Sequence, residues 1–130
     1  MRARKDIREQ RGQTMTEFAL ILPILVLLLF GIIQFGVAFN HYLTVTDAAR
    51  VGARKAVVSR QTANPVGATV AAVRASATNL DQSKLNVTVN STWAQGSDVT
   101  VTASYPYQLS LLGVVVKAGN LTSSTTERLE

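Results

Sequence analysis

Arg11-Gly12-Gln13-Thr14-Met15-Thr16-Glu17-Phe18 leads into the oily run Ala19–Phe39, and the reading of this stretch decides the fold. From Phe18 to Phe39 there are 22 residues without a charge, and Gln34 is the only strongly polar side chain among them. As a helix rising about 1.5 Å per residue, the run measures roughly 33 Å against about 30 Å of bilayer hydrocarbon. A membrane-spanning helix is the expectation. Gly12 ends a basic leader in front of it, and Glu17 stands at the lip of the span.

Glu17 admits two compatible readings. A carboxylate drawn towards the bilayer interior costs about 2.5–3.5 kcal/mol on insertion scales, so it is usually given a partner or an aqueous exit. Thr14-Met15-Thr16-Glu17 also fits a capping box, in which Thr14 and Glu17 satisfy free N–H groups at a helix start.

Alternatives for the oily run are a secretory signal and a plain anchor. A signal peptide has an apolar core of about 7–15 residues and a small-residue cut site, and Asn40-His41-Tyr42-Leu43 is not such a site. A plain transmembrane anchor fits the run as it stands. A buried core helix does not suit a chain of 130 residues.

The formal charge of +5 belongs mostly to the leader, residues 1–12, whose Arg2, Arg4, Lys5, Arg8 and Arg11 outweigh Asp6 and Glu9 to give +3 and leave +2 for the rest. No basic patch is interleaved with aromatic residues, so the charge points to targeting and not to nucleic acid. Arg50, Arg54, Lys55 and Arg60 beyond the run nearly balance the leader, so the positive-inside rule supports a cytoplasmic leader only weakly.

Within the run, Pro23 removes one helical hydrogen bond, and Gly31 and Gly36 permit close approach of another helix in lipid. Beyond Phe39 the helix is expected to continue as an amphipathic one. Ala48, Gly52 and Ala56 recur every four residues as a ledge of small side chains for tight packing of a second helix or subunit. Arg50 and Arg54 form a separate, solvated face. These segments make a stem of roughly Thr14–Ser59, with the membrane span at residues 18–39.

Residues 60–130 read as a small α+β domain, marginal in length for its own core and so expected to lean on the upper stem or on neighbours. Asn64 as N-cap and Pro65 at the first position open a second, short helix over about Val66–Asn79. Its stripe of Val70, Val73, Ala77 and Leu80 is expected to face a sheet. From Leu85 the period changes to two: Leu85, Val87 and Val89 alternate with polar residues, as do Val99, Val101 and Ala103 after a Gly96-Ser97 turn. This is an antiparallel hairpin with Trp93 over the core at its end. Tyr105-Pro106-Tyr107 is expected to interrupt the second strand. Leu109–Val116 would be a short helix or loop covering the sheet, or an exposed patch. Asn120–Glu130 reads as a polar edge strand. The fold class is α+β: a long membrane-spanning stem helix, a short second helix and a small antiparallel sheet.

Little in the chain recommends catalysis. Cysteine is absent and His41 is the sole histidine, so metal coordination and histidine-based catalysis are poorly supported; an interfacial place beside Tyr42 suits His41 better. Asp47, Asp81, Asp98, Glu127 and Glu130 are scattered, the glycines build no phosphate loop, and no serine lies in a nucleophile elbow. The expectation is no enzyme, no cofactor, no metal and no small-molecule substrate. Asn86, Asn90 and Asn120 begin glycosylation-type triplets that arise easily by chance in such Asn/Thr-rich strands.

Gly12, four residues, then Glu17-Phe18 at the head of an apolar run resembles the prepilin processing motif of tight-adherence (Tad) pili. The longer pattern through Ala19-Leu20, Leu22-Pro23, Gly31-Ile32-Ile33-Gln34-Phe35-Gly36 and Ala48-Ala49-Arg50-Val51-Gly52-Ala53-Arg54 resembles the TadE-like family of pilin-like proteins. The resemblance implies a minor pilin, or pseudopilin, cut between Gly12 and Gln13 by a prepilin peptidase. The new α-amine of Gln13 would then lie about one turn from Glu17 and, in an assembly, neutralise a neighbour's Glu17. Its implied partners are the bilayer, the peptidase, other pilin-like subunits and the assembly platform. Its implied place is the bacterial inner membrane, with the C-terminal part outside the cytoplasm or in an extracellular pilus serving adhesion. Alternatives are a principal pilus subunit, disfavoured by the β-rich tail, and a single-pass membrane-anchored binding or scaffold module outside pilus biology.

Overall fold

The structure is a computed structural model that describes the backbone from Ala3 to Glu130 and the side chains from Gly12 onwards. The charged side chains of the leader therefore lie outside the described residues. Helix α1 runs Ala3–Ser59, α2 Pro65–Ser76, and strands β1 Asn86–Ser91, β2 Asp98–Leu111 and β3 Val114–Arg128 form one antiparallel sheet in the order β1-β2-β3. The α+β class expected from the sequence is the class observed.

The stem ends at Ser59 as expected but does not begin at Thr14. No proline lies between Ala3 and Pro23, and a lone Gly12 costs only about 1 kcal/mol in a helix interior, so the helix continues back through the leader. Thr14 and Glu17 consequently do not stand at a helix start, and the capping-box reading is not realised in the uncut chain.

The core draws on both stem and tail. Val45, Ala48, Ala49, Ala53 and Ala56 of α1 are fully buried against Val73, Ala77, Leu80, Leu85, Val99, Val101, Ala103 and Leu129. Small residues on the stem let α2 and the sheet approach its backbone closely. Helix α2 packs chiefly on α1, and its smaller contact with the sheet is at the β1 edge. The Val73–Ala77–Leu80 stripe thus serves a helix–helix contact more than the helix–sheet contact expected. At the start of α2, the Asn64 side chain accepts the Gly67 N–H at 2.8 Å and Pro65 follows. Asn64→Ala is expected to destabilise the tail by about 1 kcal/mol, read as a lower urea midpoint for the detergent-solubilised protein.

Polar clamps fix the α2–β1 connection. Asn79 Nδ2 donates to Thr44 Oγ1 at 3.0 Å on the stem. Arg74 Nη1 donates to the Gln82 carbonyl at 2.7 Å. The Ser83 hydroxyl and N–H donate to Asp81 at 2.6 and 3.0 Å, and with Lys84 nearby they hold that carboxyl below the usual range.

Two strands differ from expectation. β2 does not stop at Pro106: β1 ends with Asn86 opposite Ser104, while Pro106 pairs with Asn120 of β3. From Tyr105 onwards β2 has one neighbour, and on its open side a missing N–H costs no ladder bond. β3 in turn begins at Val114, not Asn120. Leu109–Val116 is therefore neither a helix nor a cover but the far end of a long β2–β3 hairpin, closed by Leu112 and Gly113 at φ of 50° and 84°. A two-residue turn with both central φ values positive matches the strand twist, and Asn-Gly is its usual sequence. Leu-Gly hid it.

The sheet is one-sided. Val99, Val101, Ala103 and Tyr105 of β2 face the helices, while the opposite face pairs hydroxyls: Thr100 with Thr126 at 2.9 Å, Thr102 with Ser124 at 2.6 Å and Ser104 with Thr122 at 3.2 Å. This alternation of apolar inside and hydroxyl outside sets the register, since a slip of one residue would exchange the faces.

Candidate functional site

The bare part of the stem is the candidate site. Every residue from Gly12 to Phe30 is exposed, including Ile21, Leu25 and Leu28, which water would not leave uncovered in so long a row. One described helix is long and apolar enough to cross a membrane, and it is this one. Its length and lack of internal cover suit single-pass anchoring.

At its N-terminal lip the motif residues lie on one continuous helix. Gln13 Nε2 donates to Glu17 Oε1 at 3.1 Å, and the Thr16 hydroxyl donates to the Gly12 carbonyl at 2.9 Å. Both bonds span four residues, so position 13 and Glu17 share one turn and one face. Gly12 is open, with nothing within 4 Å of where a side chain would begin. Phe18 is exposed at the first turn of the apolar run.

The small residues singled out in the stem fall into two groups. A Cβ added to Gly31 or Gly36 would likewise meet nothing within 4 Å, so no described element of this chain uses them for close approach. Ala48, Gly52 and Ala56 lie under α2 and the sheet instead. A Cβ on Gly52 would collide with Val73 Cγ2 of α2 and come within 3.0 Å of Val101 Cγ1 of β2. The ledge is occupied by the chain's own second helix.

Between these groups, at the end of the apolar run, the His41 ring stands edge-on to Tyr105 at 5.4 Å between centroids. Beside it a cleft of about 280 Å³ opens between the stem and β2, lined among others by Gln34, His41, Lys84, Tyr107 and Gln108. No group of three or more potential metal ligands occurs among the described residues.

Residues 12–54 match the family model described as TadE-like protein. Over those residues the stem is similar to that family. The match opens on Gly12 itself and closes on Arg54, inside α1, so the matched part holds the bare span and the ledge residues Ala48 and Gly52 but neither Ala56 nor the sheet. No curated protein and no solved structure gives a significant match to the chain. Sequence reasoning found the stem and its motif. It missed the depth to which the β2–β3 hairpin descends along the stem; the uncharged Leu109–Val116 run was its one sign.

Proposed function

We propose that this protein is a minor pilin-like subunit of a Tad-type pilus. It enters the inner membrane with its leader in the cytoplasm, is cut between Gly12 and Gln13 by a prepilin peptidase, and takes part in pilus assembly for surface adhesion. The observation that carries the reading is the TadE-like match beginning at Gly12, at the head of a helix whose first apolar turns are wholly uncovered. Residues 1–12 then act as leader, 13–59 as stem and 60–130 as the exported head.

Hydrolysis of the Gly12–Gln13 peptide bond consumes one water and leaves a carboxylate on the leader and an amine on Gln13. The amine arises one turn from Glu17, on the face where the Gln13 side chain now donates to that carboxylate. A carboxylate at the edge of hydrocarbon gains most from a cationic partner. A neighbouring subunit's new amine supplies the charge that the neutral Gln13 amide lacks. Gly31 and Gly36, left open by the chain's own packing, are places for a neighbouring stem to approach. The partners in this reading are the bilayer, the peptidase, other pilin-like subunits and their assembly platform.

The test is the N-terminal sequence and intact mass of the membrane-bound protein made with and without a prepilin peptidase. A product starting at Gln13 only when the peptidase is present is expected, and Gly12→Leu should abolish it. Glu17→Ala should leave insertion intact and impair piliation. Retention of the leader in every case would reduce the protein to a plain membrane anchor.

A further inference from the structure

The β2–β3 hairpin runs down the stem towards the membrane. Val101 of β2 lies level with Gly52, Tyr105 with His41, and Gln108 shares a cleft with Gln34 and Val37. Gln34 is five residues inside Phe39, the last residue of the apolar run, or roughly 8 Å along the helix. The strands extend beyond Gln108 to the turn at Leu112-Gly113. A bilayer that covers Phe18–Phe39 therefore meets the hairpin as well. Alongside the hairpin the stem is covered on one face only: Gly31, Gln34 and Ala38 are half-buried, while Ile32, Ile33, Phe35 and Phe39 stay exposed.

The composition of the tip changes accordingly. Leu112, Val114, Val115 and Val116 are all exposed, Leu112 by 73%, and no charge occurs from Leu109 to Val116. Three consecutive valines put apolar side chains on both faces of β3, whereas the same strand after Asn120 alternates half-buried and exposed positions. A protein partner docks on one face of a strand; an apolar solvent surrounds both. Leucine also occupies a left-handed turn position where a hairpin in water favours Asn or Asp. Tyr105 and Tyr107 stand just above the tip and Lys117 just beyond Val116, as aromatic and snorkelling residues do at a membrane boundary.

We propose that the hairpin tip, Leu109–Val116, is a second membrane element, seated among lipid acyl chains of the leaflet nearest the head. The proposal rests on the stem's membrane reading but not on cleavage at Gly12. Unpaired strand edges are costly in hydrocarbon, so the tip enters only as far as water and headgroups can reach its open edges. The cleft lined by Gln34, His41, Lys84 and Gln108 gives the backbone on that side room for water.

The chain has no cysteine, so single-cysteine variants of the full protein carry one environment-sensitive label each. Val115→Cys, Leu27→Cys in the bare stem and Gln95→Cys, exposed in the β1–β2 connection at the end of the sheet remote from the tip, are compared in phospholipid nanodiscs at one copy per disc, with spin-labelled lipid as quencher. The label at Val115 is expected to be blue-shifted and quenched within about twofold of that at Leu27, with Gln95 unquenched. A Val115 label that behaves like Gln95 while Leu27 is quenched overturns the proposal and leaves the membrane stem standing. Protection of Val115 that appears only at several copies per disc overturns it in favour of a second copy of this chain. Loss of quenching at Leu27 as well would overturn both.

Discussion

Leu129→Ala is expected to destabilise the head by about 2–5 kcal/mol, the range for emptying a buried leucine site. Leu129 is the penultimate residue, yet it is fully buried and is the largest side chain with so little exposure. Its N–H donates to the Ser97 carbonyl at 2.8 Å and its own carbonyl accepts from the Gly96 N–H at 2.7 Å. These two bonds hold the last turn of chain across the β1–β2 connection, so the side chain plugs the end of the core and cannot relax into the space left by truncation. Trp93, the only tryptophan, packs half-buried against this core and reports unfolding. Urea titration of the full-length protein in detergent, followed by Trp93 fluorescence, should show a lower midpoint with an unchanged slope. A loss under about 0.5 kcal/mol would mean that the chain end does not close the core.

The second large effect is expected at Gly52. Gly52→Val should destabilise the head by about 3 kcal/mol, the upper part of the overpacking range. Its first side-chain carbon already overlaps Val73 Cγ2, and Val101 Cγ1 stands 3.0 Å away on the other flank. Both neighbours are fully buried valines with one preferred rotamer in a helix and few alternatives in a strand, so neither can swing aside. Gly36→Val is the matched control, on the same helix with nothing within 4 Å of its Cβ position. It should leave the urea midpoint of the head unchanged. Valine has the higher helix propensity of the two residues, so equal loss from both variants would refute a packing role for Gly52.

The two substitutions mark the boundary between what sequence reasoning reaches and what it does not. Ala48, Gly52 and Ala56 stand out as a ledge because small residues every four positions form one face of a helix whatever surrounds them. The identity of the occupant is open in the sequence between a second helix and another subunit; in the fold it is α2 with β2 behind it. Leu129 carries no periodic signal. A single apolar residue after a run of Thr, Ser and charged positions gains meaning only when the chain end crosses Ser97. Pro106 misleads for a related reason. Whether proline breaks a strand depends on whether that side of the strand has a neighbour, and the pairing with β1 stops two residues earlier, where Asn86 faces Ser104.

The candidate site divides in the same way. The motif at Gly12, Gln13, Glu17 and Phe18 is local, with all its residues within two helical turns, and is legible at once. The placement of Leu109–Val116 is not, because its distance from the bilayer depends on the direction in which β2 runs along α1.

The sequence by itself determined the elements whose cause is local or periodic. These are an uncharged run long enough to span a membrane, the Asn64-Pro65 start of α2, and the alternation of valine with threonine that makes β1 and β2 one-sided strands. Tertiary structure alone decided that α2 fills the stem's ledge, that Leu129 closes the core, and that an apolar hairpin tip descends beside the bare span. Those outcomes depend on contacts between residues dozens of positions apart. Side-chain periodicity fixes which face of an element is apolar, but not which other face it meets.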